Sequence, residues 1–227
     1  ESASDFLGSY FSEEKLSIIP GNHDNYVNCD YQDSMYLLRR YIKNDLDDNQ
    51  GLPFPYLKLI DDVAIIGISS AVTSPPFMSW GRVSRIQLNA LTKILQSISK
   101  ENYFTILLLH HPLHRFGVLN FKGLLNKRSV IKILNRFNIN LILHGHLHTE
   151  SQKQISLAQA NVPCFGAPST SRAHDDKLSF LKYDINKVND KWNLKVYRRN
   201  YIKQIKKFET QILMSETYDS GTNTFTN

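Results

Sequence analysis

The chain has 227 residues, of which 41% are hydrophobic and 11% aromatic, enough apolar material for the core of a globular domain. Its formal net charge is +6, but the basic residues are dispersed without an aromatic or glycine-rich RNA-binding pattern, which disfavours nucleic acid as the partner. No run approaches the roughly 18 apolar residues of a membrane span. The two cysteines, Cys29 and Cys164, lack CxxC spacing and favour a reducing, cytoplasmic location.

The first half of the chain combines helix and strand patterns. The pattern predicts a helix over residues 4–11 and a strand over 16–19, which Pro20-Gly21 ends. A second helix is predicted over residues 34–46, where apolar residues recur at helical spacing. Two β-type runs in residues 56–70, on either side of an Asp-Asp pair, predict a hairpin.

Helices and buried strands alternate in the next part. Residues 84–98 form the clearest helix pattern, with Ser84 and Gln87 spaced as a capping box. A buried strand is predicted over 103–109, an amphipathic helix over 129–137 and a second buried strand over 139–144. The alternation predicts an α/β fold, a layered sandwich of mixed β-sheets flanked by helices.

The last part of the chain changes character. Residues 162–169, 178–185 and 192–201 are strand-like with turns between them, which predicts a second, antiparallel sheet. The final residues lack apolar periodicity. We therefore expect one domain over residues 1–214 and a flexible tail over residues 215–227.

Three groups of histidines follow buried-looking strands. His23 lies in "GNHD", His110 in "HHP" and His146 with His148 in "GHLH". A single such histidine is more often structural, but parallel strands that end on one edge bring their loops together, and imidazole is a common metal ligand. In an extended segment, His146 and His148 would point to the same side. We expect His144, which precedes Gly145, to face the opposite way.

These motifs, in this order, resemble those of the calcineurin-like metallophosphoesterases, with the likeness covering about residues 16–200. The "HHP" motif is most similar to that of cyclic-nucleotide phosphodiesterases and related phosphodiesterases. The resemblance implies a metallophosphoesterase-like fold. It also implies two divalent ions, Mn, Fe or Zn, with hydrolysis of a phosphodiester or phosphomonoester by a metal-bound hydroxide.

The resemblance also implies roles for individual residues. Asn22, His110 and His146 resemble ligands of the second metal, and His148 resembles a ligand of the first. His23 resembles the histidine beside the substrate phosphate, and Asp24 the carboxylate that orients it. We further expect substrate-side positions for two more histidines, His111 and His114.

The chain departs from the family at its beginning. The family's D-x-H and G-D motifs, which supply carboxylate ligands including the one that bridges both metals, are absent, so N-terminal strands of the fold are expected to be missing. Truncation, a split protein and a degenerate relative are three explanations. A split protein would need an N-terminal fragment as partner, in addition to a small phosphate-ester substrate. The alternative functions are an inactive interaction module and, from the basic charge, a nucleic-acid-binding protein.

Overall fold

The fold is taken from a computed structural model of the chain. The structure describes residues 3–25, 35–42, 44–46, 53–75, 77–114, 122–169 and 178–219.

A six-stranded mixed sheet forms the centre of the molecule. Its order is β1–β2–β3–β4–β6–β5; the four inner strands run parallel, and the two edge strands are antiparallel to their neighbours. The strands are β1 (Tyr56–Ile60), β2 (Val63–Gly67), β3 (Phe104–Leu109), β4 (Leu141–His144), β5 (Ser151–Ser156) and β6 (Asn161–Gly166). Leu109 of β3 pairs with His144 of β4, so these strands end side by side and bring the loops that follow them to one edge.

The α-helices are α1 (Ala3–Tyr10), α2 (Arg85–Ile98) and α3 (Lys127–Leu134), and the last two cover one face of this sheet. Helix α2 buries Leu91, Ile94, Leu95 and Ile98 against the sheet, each contributing about 1.5–3 kcal/mol by burial. A smaller cluster joins Ile18 and Ile19 to apolar residues near β1.

A second sheet covers the other face. It consists of the antiparallel strands β7 (Leu178–Val188), β8 (Lys191–Ile202) and β9 (Lys207–Asp219). Trp192 of β8 meets Phe104 of β3 edge-on, with 5.4 Å between ring centroids, inside a second buried cluster. The molecule is therefore layered as helices, mixed sheet and antiparallel sheet, and this confirms the predicted fold class.

Several predicted elements are present. The hairpin is β1 and β2, with Asp61 at its turn in the left-handed region (φ 49°). Helix α2 begins as expected: the Gln87 backbone N–H donates to Ser84 Oγ at 3.2 Å. The side chain of Gln87, however, bonds both backbone groups of Ser69 instead of returning to Ser84, so it fastens the helix to the segment after β2.

Three predicted elements differ. Residues 16–19 begin with an extended residue, Leu16, but pair with no strand among the described residues. The predicted helix at 34–46 is only a 3₁₀ helix, Tyr36–Tyr41, in the described part. Residues 162–166, expected in the second sheet, instead form β6 of the central sheet, parallel to β4.

The C-terminal strand reaches further than expected. Strand β9 ends at Asp219, so residues 215–219 of the expected tail belong to the second sheet. Residues 220–227 lie outside the described part of the chain. Within the described residues, no helix has the length and apolar character needed to cross a membrane.

Candidate metal centre

Asn22, His110 and His146 meet at one edge of the central sheet. His110 Nε2 lies 2.9 Å from Asn22 Oδ1, and His146 Nδ1 lies 3.2 Å from both of these atoms. The three residues come from different loops, since Asn22 follows the segment 16–19, His110 follows β3 and His146 follows β4. The fold thus closes a triangle of three donor atoms from positions far apart in sequence.

This triangle has dimensions that fit a metal ion. Hydrogen bonds from both ring nitrogens to Asn22 Oδ1 would leave two N–H groups facing each other. A cation satisfies all three lone pairs at once. Ligands at right angles around an ion at about 2.1 Å stand about 3.0 Å apart, which is close to the observed edges.

The protonation of the two histidines also fits this role. Burial, together with the smaller effect of the neighbouring histidines, lowers the pKa of His110 to about 3. Burial likewise lowers the pKa of His146, although a hydrogen bond to the backbone of Lys122 raises it in part. Both rings are therefore neutral near pH 7, the form that coordinates metals.

His111 has a structural position and does not reach solvent. It is 0% exposed, and its Nε2 lies 3.0 Å from the Ser79 carbonyl, which can only accept, so Nε2 carries the proton. Its Nδ1 therefore accepts from Ser70 Oγ at 2.8 Å, and Ser70 Oγ accepts from the His111 backbone N–H. The expectation that His111 faces the substrate is wrong, because both ring nitrogens are bound inside the core.

The "GHLH" loop is not extended. His146 and His148 both occupy the left-handed region, with φ of 68° and 59°, so the expectation that strand alternation points them to one side is wrong. Non-glycine residues in this region carry backbone strain, which is common at functional sites. His148 is exposed and lies beside His23, with 6.4 Å between ring centroids, and it is outside the triangle.

Asp24 shapes the loop that carries Asn22. Its Oδ2 accepts from the Gly21 backbone N–H at 2.8 Å, and its own N–H donates to the Gly21 carbonyl at 3.2 Å. These bonds close the turn that presents Asn22, which is 3% exposed. The resemblance implied instead that Asp24 orients His23, which is exposed next to it.

The remaining predicted residue, His114, lies away from the triangle. It is half-buried next to His144, with 5.2 Å between ring centroids. The metal-capable groups among the described residues contain histidine and cysteine and no carboxylate. The sequence does not predict that Ser70 and Ser79 bind His111. Neither serine lies in a local pattern that would identify His111 as its partner.

We expect Gly21→Ala to weaken metal binding by about 10-fold. A Cβ at position 21 would lie 2.7 Å from His110 Cε1, so the ring would have to leave the triangle. Gly145→Ala is the matched control, because its Cβ would meet the same ring at an ordinary 3.4 Å. Metal titrations of the two variants measure the difference, and equal affinities would contradict the geometry.

Comparison with known proteins places the chain in a family. The model of the calcineurin-like phosphoesterase family matches residues 3–150. No curated protein matches the chain. Among solved structures, a dimetal phosphatase from Danio rerio is similar at 16% identity and a TM-score of 0.42, over 59% of this chain and 40% of that chain. The chain thus spans less than half the length of that phosphatase.

Vps29 from Chaetomium thermophilum is also similar, at 10% identity and a TM-score of 0.32, over 95% of this chain and 86% of that chain. The family match covers well over half of the chain and includes "GNHD", "HHP" and "GHLH". The chain belongs to the calcineurin-like phosphoesterase family.

Proposed function

We propose that this chain carries out metal-dependent hydrolysis of a phosphodiester or phosphomonoester when the full set of metal ligands is present. The observation that carries the proposal is the triangle of Asn22, His110 and His146, whose donor atoms lie 2.9–3.2 Å apart. Such a donor set suits Mn, Fe or Zn. Membership of a phosphoesterase family supports the same chemistry.

The residues divide the work between metal and substrate. Asn22, His110 and His146 would hold one ion, and His148 would contribute to a second. His23, exposed on the open side beside His148, contacts the substrate phosphate and donates a proton to the leaving oxygen. Asp24 supports this arrangement through its bond to Gly21, which fixes the turn that carries both Asn22 and His23.

Divalent ions at such a site polarise phosphoryl oxygens and lower the pKa of a bound water. The protein surroundings of the triangle favour that chemistry. Buried Asn22 and the fixed His111 ring keep the floor of the site rigid, while exposed His23 and His148 leave its outer side open to a small phosphate ester. A phosphodiesterase of the cyclic-nucleotide type is the finer assignment that the "HHP" motif supports.

We further propose that a separate N-terminal segment supplies the carboxylate ligands. Residues 16–19 are half-buried and pair with no strand in the described part of the chain, so their backbone can receive a neighbouring strand. A segment bearing D-x-H and G-D would arrive beside "GNHD". The domain then extends through the end of β9 at Asp219 and includes that segment, and the absence of a CxxC pair favours the cytoplasm as its location.

We expect the 227-residue chain alone to be a poor hydrolase. It lacks the bridging carboxylate, so two ions cannot be held as the family holds them. The assay is hydrolysis of bis(p-nitrophenyl) phosphate with Mn²⁺, first with the chain alone and then with an upstream segment bearing D-x-H and G-D. Strong activity of the chain alone would contradict this prediction.

The same assay separates the proposal from the alternative function. Activity that appears only with the upstream segment supports the phosphoesterase. If the reconstituted protein binds metal but remains inactive with both phosphodiester and phosphomonoester substrates, the chain is an inactive interaction module.

A further inference from the structure

A second cluster of metal-capable residues lies outside the candidate metal centre. The ligand atoms of His114, His144 and Cys164 all lie within 4.8 Å of one another. Each residue comes from a different part of the fold: His114 from the loop after β3, His144 from the end of β4 and Cys164 from β6. None of the three has a part in the proposed hydrolysis.

The ring of His144 is oriented as a ligand. Its Nδ1 lies 3.0 Å from the Gly145 carbonyl, which can only accept, so Nδ1 carries the proton. Its Nε2 therefore carries the lone pair and accepts from the Ser151 hydroxyl at 3.3 Å, a hydrogen bond that a metal ion on Nε2 would replace. A backbone carbonyl that fixes the tautomer and rotation of an imidazole is the usual support behind a metal-bound histidine.

Cys164 supplies the soft donor of the cluster. It pairs with Ile142 of β4, two residues before His144, so alternation along β4 puts the side chains of Cys164 and His144 on the same face of the sheet. The thiol is 0% exposed, and burial raises its pKa to about 12. It is therefore a thiol in the metal-free protein, and a metal ion that binds it releases one proton to solvent.

The charges around His114 select among metals. Lys127 and Lys153 lie close enough to lower its pKa, in addition to burial, so the imidazole is neutral. The same lysines repel cations. A hard ion such as Mg²⁺ gains little from thiolate and imidazole to offset this repulsion, whereas Zn²⁺ binds both donors strongly and takes the thiolate charge.

We propose that His114, His144 and Cys164 form a zinc site distinct from the Asn22–His110–His146 centre. The ion would connect the loop after β3 to strands β4 and β6. Its ligand His144 ends β4 and immediately precedes Gly145 of the "GHLH" loop. Its three protein ligands leave a fourth position for water, next to the Ser151 hydroxyl. Bound there, the ion would link the loop after β3 to the strand end that leads into the "GHLH" loop.

The first experiment uses cobalt as a spectroscopic substitute for zinc. Thiolate-to-cobalt charge transfer absorbs in the near ultraviolet and arises only when sulfur is a ligand. We expect this band when Co²⁺ is added to the full chain, and also in His110→Ala/His146→Ala, which removes the first centre. The band should vanish in Cys164→Ser and persist in Cys29→Ser, the matched control at the other cysteine.

The second experiment measures zinc affinity in the His110→Ala/His146→Ala background. We expect about one Zn²⁺ per chain, bound more than about 10-fold more weakly after His114→Ala, while Mg²⁺ does not compete. His114 is half-buried in a loop, so this variant tests the site even if Cys164→Ser does not fold. Absence of the cobalt band, or unchanged zinc affinity in His114→Ala, would overturn the proposal and leave a hydrogen-bonded core cluster. Neither readout depends on hydrolysis.

Discussion

Replacing His146 with alanine is expected to lower the metal affinity of the chain by more than about 10-fold, because it removes one of three donor atoms that meet at 2.9–3.2 Å. No carboxylate in the metal-capable groups of the described residues can compensate for the lost imidazole. Isothermal titration with Mn²⁺ or Zn²⁺ measures the effect. The Cys164→Ser background removes any contribution from the second cluster.

His23→Ala should behave in the opposite way. The ring is exposed and lies outside the triangle, so metal content should stay as in the unmodified chain. In the protein reconstituted with its upstream segment, turnover should fall about 100-fold, the usual contribution of a general acid. If His23→Ala loses as much metal as His146→Ala, or if it keeps full turnover, this division of roles is contradicted.

Acid is expected to destabilise the metal-free fold strongly between about pH 6.5 and pH 4. His111 and His144 are 0% and 4% exposed, and burial lowers the pKa of each from 6.5 to about 4. The unfolded chain takes up these protons before the folded one does. The contribution of both groups to stability is therefore complete above pH 6.5 and is lost as the pH falls towards 4.

The size of this loss is large relative to the stability of a domain. A shift of about 2.5 units corresponds to about 3 kcal/mol for each histidine, as an upper limit, against a typical total of about 5–15 kcal/mol. Urea unfolding in the presence of a chelator, at a series of pH values from about 7.5 to 4.5, measures the free energy of unfolding.

His111→Gln is the informative variant for this titration. Glutamine does not titrate, and its amide can still donate to the Ser79 carbonyl, as His111 Nε2 does. The variant should therefore lose less stability between pH 6.5 and pH 4 than the unmodified chain. If the free energy of unfolding falls equally steeply with decreasing pH in both proteins, the pKa of His111 is not lowered as its burial requires.

The sequence predicts much of the central architecture because local patterns and tertiary packing agree there. The apolar stripe of residues 84–98 buries its side chains as its periodicity requires, and the run at 103–109 fits a central strand. The meeting of "HHP" and "GHLH", which follow the parallel strands β3 and β4, also follows from simple geometry. Parallel strands that end at one edge must bring their loops together.

The remaining features depend on partners that lie far away in the sequence. Residues 16–19 have strand character, but a strand requires a neighbour, and the described residues provide none. The sequence predicts a substrate-side position for His111, but Ser70 and Ser79, about 30–40 residues earlier in the chain, bind both of its ring nitrogens in the core. The left-handed backbone of His146 and His148 has no local signal either, because such strain is imposed by the surrounding structure.

The contact between Glu150 and Arg198 extends the influence of the second sheet to the metal centre. Glu150 comes two residues after His148, and both of its carboxylate oxygens accept from the guanidinium of Arg198 on β8. A paired, partly buried contact of this kind restrains the end of the "GHLH" loop. Because this loop carries His146, one of the three candidate ligands, we expect its restraint by β8 to lengthen the time that a metal ion resides on the protein, separately from how tightly the ion binds at equilibrium.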